Sequence, residues 1–140
     1  MCGIIGIASS KPVSMNIISS LKKLEYRGYD SAGLATINKN EISEKKCSGR
    51  VEELEKILFK TPSDGNLGIG HVRWATHGIP NVVNAHSHSS EIVSVVHNGI
   101  IENSDEIKKD LESQGLKFKS QTDTEVITLL ITESLKDNEP

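Results

Sequence analysis

Several features that would assign this chain to a broad functional class are missing from its sequence. The 140 residues carry 16 Lys and Arg against 19 Asp and Glu, so the positive excess typical of a nucleic-acid-binding protein is absent. No apolar run approaches the roughly 18–20 residues that a membrane helix needs. The first apolar stretch ends at Ala8 without a basic segment before it, which argues against a signal peptide. We therefore expect neither a nucleic-acid partner nor a membrane.

Cysteine is scarce, because only Cys2 and Cys47 occur. Without a secretory signal, two cysteines favour a reducing compartment, the cytoplasm, over a disulfide framework. Their number alone still allows a Cys2–Cys47 bridge. The chain also lacks internal repeats, low-complexity segments and a Gly-rich phosphate loop of the usual spacing.

Five histidines could form a metal cluster, and they stand at positions 71, 77, 86, 88 and 97. These spacings match no zinc template, and no paired cysteine motif accompanies them. We expect no metal and no cofactor, with a small histidine metal protein as a minor alternative.

The hydrophobic pattern predicts strands and helices in mixed order. Short β-rich runs predict strands at 3–8, 33–38, 41–47, 67–74, 92–97 and 116–120. Apolar residues at helical spacing predict helices at 14–26, 51–59, 103–115 and 123–135. The expected local signals are a Ser14 cap, an Asn98-Gly99 tight turn, a Gly115 helix end and a Thr122–Glu125 capping box. Strands in runs with helices between them indicate an α+β fold.

Cys2 is the first candidate for catalysis. After removal of Met1, this one residue would carry both a thiol and a free α-amine. The amine has an unperturbed pKa of about 7.7–8.0, so it can serve as the general base for the thiol. The alternative is an ordinary small residue before a strand.

Three further places supply groups suited to acyl transfer from an amide. Asn98-Gly99 can offer a side-chain amide and a backbone N–H to an oxyanion, or can simply be a hairpin turn. Arg73 offers a planar fork for a carboxylate, or packs against Trp74 at the surface. Asp123 can hold an ammonium group, or can complement a helix dipole. A carboxylate clamp and an ammonium clamp together indicate an α-amino acid. An acyl-transfer site that has both clamps suggests glutamine as the substrate.

Longer motifs then carry a family resemblance. The chain resembles the class II glutamine amidotransferases, which are N-terminal nucleophile hydrolases. Runs 2–6 and 97–103 carry the resemblance to the family as a whole. Three further runs are most similar to the glucosamine-6-phosphate synthase (glutamine–fructose-6-phosphate aminotransferase) branch, and these are 24–33, 73–78 and 122–127.

The resemblance implies a fold, a reaction and partners. The fold would be the four-layer αββα arrangement of this hydrolase class. The reaction would be hydrolysis of glutamine, with the ammonia used to convert fructose 6-phosphate to glucosamine 6-phosphate in amino-sugar biosynthesis. Fructose 6-phosphate would bind a separate isomerase domain, and the full-length enzyme would be a homo-oligomer.

The resemblance also implies roles for individual residues. A loop over residues 73–81 would cover the bound glutamine, with Trp74 gating the ammonia path, and Arg27 and His86 would support the site. Catalysis is assigned to Cys2, Asn98 and Gly99, and glutamine binding to Arg73, Trp74, Thr76, His77, Asp123, His86 and Arg27.

We expect residues 1–140 to be the N-terminal part of a glutamine amidotransferase domain that is truncated at its C-terminal side. The rest of that domain and the sugar-phosphate isomerase domain would be absent. Unpaired sheet edges and an uncovered helix face would then favour self-association. The alternative function is a catalytically silent fragment or a docking module.

Overall fold

The central element of the fold is a four-stranded antiparallel sheet. The structure, a computed structural model, describes residues 1–75 and 79–137. The strands are β1 (Gly3–Ala8), β2 (Ser31–Asn38), β3 (Glu41–Ser48) and β4 (Leu67–Arg73), in the spatial order β1-β4-β2-β3. Gly3 lies opposite Val72 in the register of β1 and β4. The start of β1 therefore brings Cys2 to the end of β4, beside Arg73.

Two helices cover one face of this sheet. They are α1 (Ser14–Leu24), which a short 3₁₀ turn at Glu25–Arg27 follows, and α2 (Val51–Lys60). Their apolar positions recur at helical spacing, so one stripe of each helix faces the sheet. The core between them is made of fully or nearly fully buried side chains, chiefly Val13, Ile17, Ile18, Leu21, Leu34, Val51, Leu54, Leu58 and Val72.

The other face of the sheet meets a second, smaller layer. A two-stranded sheet pairs β5 (His88–Ser89) with β6 (Ser94–Val95), and α4 (Thr124–Asp137) packs against it. The helix α3 (Ser104–Ser113) packs on α4. The result is the predicted α+β architecture, with helices outside and two sheets inside.

Close packing between the two sheets depends on Gly33. A Cβ atom at this position would lie 1.8 Å from the carbonyl oxygen of His86. On the neighbouring strand β3, the Glu44 carboxylate accepts hydrogen bonds from the hydroxyls of Ser87 and Ser89. On the same strand, the Lys46 ammonium donates a hydrogen bond to the carbonyl oxygen of Ser87 at 3.1 Å. Strands β2 and β3 therefore hold the 86–89 segment against the sheet.

Most predicted elements are confirmed, with shifts at their ends. The strands at 3–8, 33–38, 41–47 and 67–74 and all four helices are present. Gly115 follows α3 with a φ of 91°, as expected for a helix end. Ser14 is the first residue of α1 rather than its cap, and the cap position is Val13.

Four local predictions are wrong. The 92–97 strand is reduced to Ser94–Val95, and Asn98-Gly99 forms no hairpin turn. No strand occurs at 116–120, because the backbone N–H groups of Lys119 and Ser120 donate to the Glu125 carboxylate at 2.8 and 2.7 Å. The Glu125 carboxylate therefore binds the segment before α4 instead of the backbone N–H of Thr122, and the predicted capping box does not form.

Two global expectations can also be compared with the structure. Among the described residues, no helix is long and apolar enough to cross a membrane. Cys2 and Cys47 are both free thiols, so the alternative of a bridge between them is wrong.

Candidate active site

A pocket opens where the end of β4 meets the beginning of β1. Its volume is about 290 Å³. It collects residues from five parts of the chain that are separated in sequence. The lining residues are Met1, Cys2, Arg73, Trp74, His86, His97, Asn98, Gly99, Ile100, Thr122, Asp123 and Thr124.

The thiol of Cys2 is held by the main chain of Trp74. The backbone N–H of Trp74 donates to Sγ at 3.2 Å, and the thiol lies 3.5 Å from the carbonyl oxygen of the same residue. The main chain at the end of β4 thus fixes the position of the sulfur at the pocket.

The carbonyl oxygen of Cys2 is fixed by two side chains. Arg27 Nε and Asn98 Nδ2 each donate to it at 3.0 Å. Arg27 comes from the 3₁₀ turn after α1, and Asn98 comes from the segment after β6. Two independent elements therefore hold the first residues of the chain at the pocket. An amide has two N–H donors, so the second N–H of Asn98 can serve another acceptor.

Arg73 and Asp123 bring opposite charges to the pocket. Arg73 is 4% exposed, and burial lowers the pKa of its guanidinium, while Cys2, Asp30 and Asp123 act in the opposite direction. Asp123 is half-buried, and its Oδ2 accepts a hydrogen bond from the backbone N–H of Ile101 at 2.8 Å. A positive group and a negative group in one small pocket match the two charges of an α-amino acid.

Three buried histidines lie beneath the pocket. The ring of His86 stacks on that of His71 at 4.1 Å and meets the ring of His88 edge-on at 4.8 Å. Burial lowers the pKa of His71 to about 4 and that of His88 to about 3. Burial and the neighbouring histidines also lower the pKa of His86. At neutral pH all three rings are therefore uncharged, and the nearby positive charges that act on His88 are those of Lys46 and Arg73.

The histidine cluster does not form a metal site in the part of the chain that the structure describes. No group of three or more His, Cys, Asp or Glu residues within 1–75 and 79–137 is arranged to hold a metal ion. One ring nitrogen of His88 is 2.8 Å from the Thr122 hydroxyl, and Nδ1 of His86 accepts the His97 N–H at 3.4 Å. These contacts connect the second layer to the pocket.

The structure brings most of the predicted site residues together. All but three of them line the pocket, and Arg27 reaches it through the Cys2 carbonyl. Trp74 is 48% exposed at the pocket edge and makes an edge contact with Tyr29. Thr76 and His77 lie outside the described residues.

The sequence interpretation missed Asp30 and the two threonines around Asp123. The Asp30 carboxylate accepts the backbone N–H of Ala75 at 2.6 Å, and so holds the residue after Trp74. Its signal was its place in the 24–33 motif. Thr122 and Thr124 also line the pocket, although Thr122 was predicted only as a helix cap and Thr124 was assigned no role in the site.

Known proteins resemble this chain in sequence and in fold. The family profile described as "Glutamine amidotransferase domain" matches residues 58–137, more than half of the chain. The chain belongs to the glutamine amidotransferase family. Its fold matches a solved glutamine phosphoribosylpyrophosphate amidotransferase from B. subtilis with a TM-score of 0.80 and 28% identity, covering 98% of this chain and 31% of that one. The αββα hydrolase fold predicted from the resemblance is therefore confirmed.

Curated relatives of this glutamine amidotransferase domain are more similar in sequence. The glutamine–fructose-6-phosphate aminotransferase of Mesorhizobium japonicum is 52% identical over 96% of the chain. The enzyme of the same name from Clostridium acetobutylicum is 53% identical over 94% of the chain. In both comparisons the chain spans 22% of the relative's length.

Proposed function

We propose that this amidotransferase domain hydrolyses the side-chain amide of L-glutamine, with Cys2 as the nucleophile. The observation that carries the proposal is the single pocket shared by the Cys2 thiol, Arg73 and Asp123. Arg73 binds the α-carboxylate of glutamine through its planar fork, and Asp123 binds the α-ammonium. The side-chain amide then lies toward Cys2.

The first half of the reaction forms an acyl-enzyme. Removal of Met1 exposes the α-amine of Cys2, which takes the thiol proton through a bridging water. Sγ attacks the amide carbon of glutamine, and a tetrahedral oxyanion forms. The second N–H of Asn98 and the backbone N–H of Gly99 donate to this oxyanion. The protonated amine then gives its proton to the leaving nitrogen, and ammonia departs.

The second half releases the product. A γ-glutamyl thioester remains on Cys2, and the α-amine activates a water molecule to attack it. The same oxyanion donors stabilise the second tetrahedral intermediate. Collapse of that intermediate breaks the C–S bond, returns the proton to sulfur and gives glutamate.

The remaining site residues surround this reaction. Trp74 covers the pocket edge and borders the path of the ammonia, and Thr76 and His77, which come after it in the sequence, bind glutamine. Arg27 holds the Cys2 carbonyl at 3.0 Å. His86, uncharged and buried, shapes the pocket floor without opposing the positive charge of Arg73.

We further propose the place of this reaction in a larger enzyme. Residues 1–140 are the N-terminal part of a class II glutamine amidotransferase domain, the glutaminase half of a glutamine–fructose-6-phosphate aminotransferase. The names of the curated relatives and their identities of about 50% support this assignment. The ammonia would then convert fructose 6-phosphate, bound to an isomerase domain, to glucosamine 6-phosphate. The enzyme would act as a homo-oligomer in the cytoplasm, where its catalytic thiol stays reduced.

A glutamine-like diazo-ketone tests the nucleophile. It should alkylate Cys2 and spare Cys47, which is 4% exposed and whose thiol pKa is raised by burial. Cys2→Ser should abolish both labelling and glutamine hydrolysis, whereas the matched Cys47→Ser should retain both. Mass spectrometry of the same sample gives the state of Met1. Label on Cys47, or a fully active chain that keeps Met1, would refute the mechanism, and a processed chain without activity would favour the docking alternative.

A further inference from the structure

A buried asparagine joins two segments that line the pocket. The side chain of Asn84 is 1% exposed, and its Oδ1 accepts the backbone N–H of Gln121 at 2.8 Å. Its Nδ2 donates to Oε1 of Gln121 at 3.0 Å and to the carbonyl oxygen of Ile79 at 2.9 Å. Asn84 therefore binds both the main chain and the side chain of Gln121. A buried amide with three satisfied hydrogen bonds is a rigid connection.

Each end of this connection lies one or two residues from a residue that lines the pocket. Gln121 precedes Asp123 by two residues, and Asn84 precedes His86 by two residues. Both Asp123 and His86 line the pocket. The bond from Asn84 to the Gln121 N–H thus fixes the peptide that leads into Asp123.

We propose that Asn84 is a positioning residue for Asp123 and thereby sets the preference of the pocket for ligands that carry an α-ammonium group. The inference rests on the proposed function, in which Asp123 binds that ammonium. Charge-assisted hydrogen bonds need donor–acceptor distances of about 2.7–2.9 Å, so a small shift of the carboxylate weakens the contact. Asp123 itself is held at Oδ2 by the Ile101 N–H. Asn84 supplies the support on the chain before it.

Other contacts keep the segment folded when Asn84 is changed. Ser120 is bound to the Glu125 carboxylate through its N–H at 2.7 Å and its hydroxyl at 2.6 Å. The Thr122 hydroxyl contacts a ring nitrogen of His88 at 2.8 Å. Loss of the Asn84 bonds should therefore move the peptide at position 121 without unfolding the second layer.

Product inhibition isolates the ammonium contact. L-Glutamate and glutarate carry the same two carboxylates, but only glutamate has the α-ammonium. The ratio of their inhibition constants against glutamine hydrolysis, measured in the full-length protein, reports that one interaction. Asp123→Asn gives the ratio expected when the clamp is lost.

The variants are Asn84→Ala, Gln121→Ala and the matched control Asn16→Ala, which lies on the exposed face of α1. In Asn84→Ala we expect the glutamate constant to rise by about tenfold, in line with the cost of small displacements in binding geometry, while that of glutarate stays unchanged. Gln121→Ala removes the Oε1 atom that accepts from Asn84 but keeps the backbone N–H that donates to Asn84 Oδ1, so it should fold normally and give a smaller change in the same direction. Asn16→Ala should match the parent.

The outcomes separate the two proposals. A folded Asn84→Ala or Gln121→Ala whose constants for glutamate and glutarate change equally, or not at all, overturns the inference while glutamine hydrolysis stands. If Asp123→Asn leaves the ratio unchanged, the ammonium clamp is wrong, and the inference is wrong with it. If Asn84→Ala does not fold, Gln121→Ala decides by the same ratio.

Discussion

Replacement of Asn98 by alanine tests the oxyanion assignment most directly. Asn98 has two functions in the proposed mechanism, because one N–H holds the Cys2 carbonyl at 3.0 Å and the other meets the oxyanion. Loss of an oxyanion donor typically lowers kcat by about 10²–10³, which corresponds to about 2.7–4 kcal/mol. The contact forms mainly in the transition state, so the loss should appear in kcat with little change in KM.

The two functions of Asn98 can be separated with Arg27. Arg27 donates to the same Cys2 carbonyl at the same distance of 3.0 Å but is not assigned to the oxyanion. Arg27→Ala therefore removes the positioning bond alone, and we expect it to lower kcat by less than Asn98→Ala does. The difference between the two variants measures the oxyanion contribution.

The assay is glutamate release at saturating and at limiting glutamine, together with thermal melts by circular dichroism. Asn16→Ala on the exposed face of α1 is the control for the substitution itself. Equal losses of kcat in Asn98→Ala and Arg27→Ala would mean that Asn98 only holds the Cys2 carbonyl. A loss confined to KM would move Asn98 from catalysis to ground-state binding.

Three further predictions concern the clamp, pH and association. Arg73→Lys should weaken glutamine binding with the fold intact, because an ammonium cannot form the two parallel bonds of a guanidinium; an unchanged KM would refute the carboxylate clamp. Burial lowers the pKa of His71 to about 4 and that of His88 to about 3 in the folded chain, whereas an unfolded histidine has a pKa of about 6.5. Below pH 6.5 the unfolded chain therefore binds more protons than the folded chain. The contribution of these two histidines to the free energy of unfolding should be fully present above pH 6.5 and should fall by about 1–2 kcal/mol per histidine by pH 5. Urea melts that give equal free energies of unfolding at pH 7 and pH 5 would contradict this. The 140-residue chain by itself should self-associate, because Leu130 and Leu135 on α4 are 42% and 47% exposed. A monomer in analytical ultracentrifugation that also gives a sharp cooperative melt in calorimetry would contradict this.

Helices were predicted more reliably than the strands of the second layer. The apolar stripes of α1, α2 and α4 are local patterns, because residues three and four apart lie on one face of a helix. A strand also needs a partner, and the sequence does not say where that partner is. The run at 92–97 meets only the two residues of β5, so just Ser94–Val95 pairs. Residues 116–120 meet no strand, and their N–H groups bind Glu125 instead.

The candidate site divides in the same way. Cys2, Arg73, the Asn98-Gly99 pair and Asp123 could be selected from the sequence, because their chemistry and motifs are local properties of the chain. Their assembly could not, since it depends on the antiparallel register that places Cys2 beside the end of β4, and on the second layer that brings Asn98 and Asp123 across.

Local sequence patterns were thus sufficient for the α+β class, the four helices and the identity of the chemical groups, because each follows from the side chain and its near neighbours. Tertiary structure alone decided the contacts that hold those groups in place. Examples are the hydrogen bonds that Arg27 and Asn98 donate to the Cys2 carbonyl and the one that the Trp74 N–H donates to the Cys2 sulfur. The hydrogen bond from the Gln121 N–H to Asn84 is another. The physical reason is that a hydrogen bond depends on distances of about 3 Å between atoms, and only packing of the whole chain sets those distances for residues far apart in sequence.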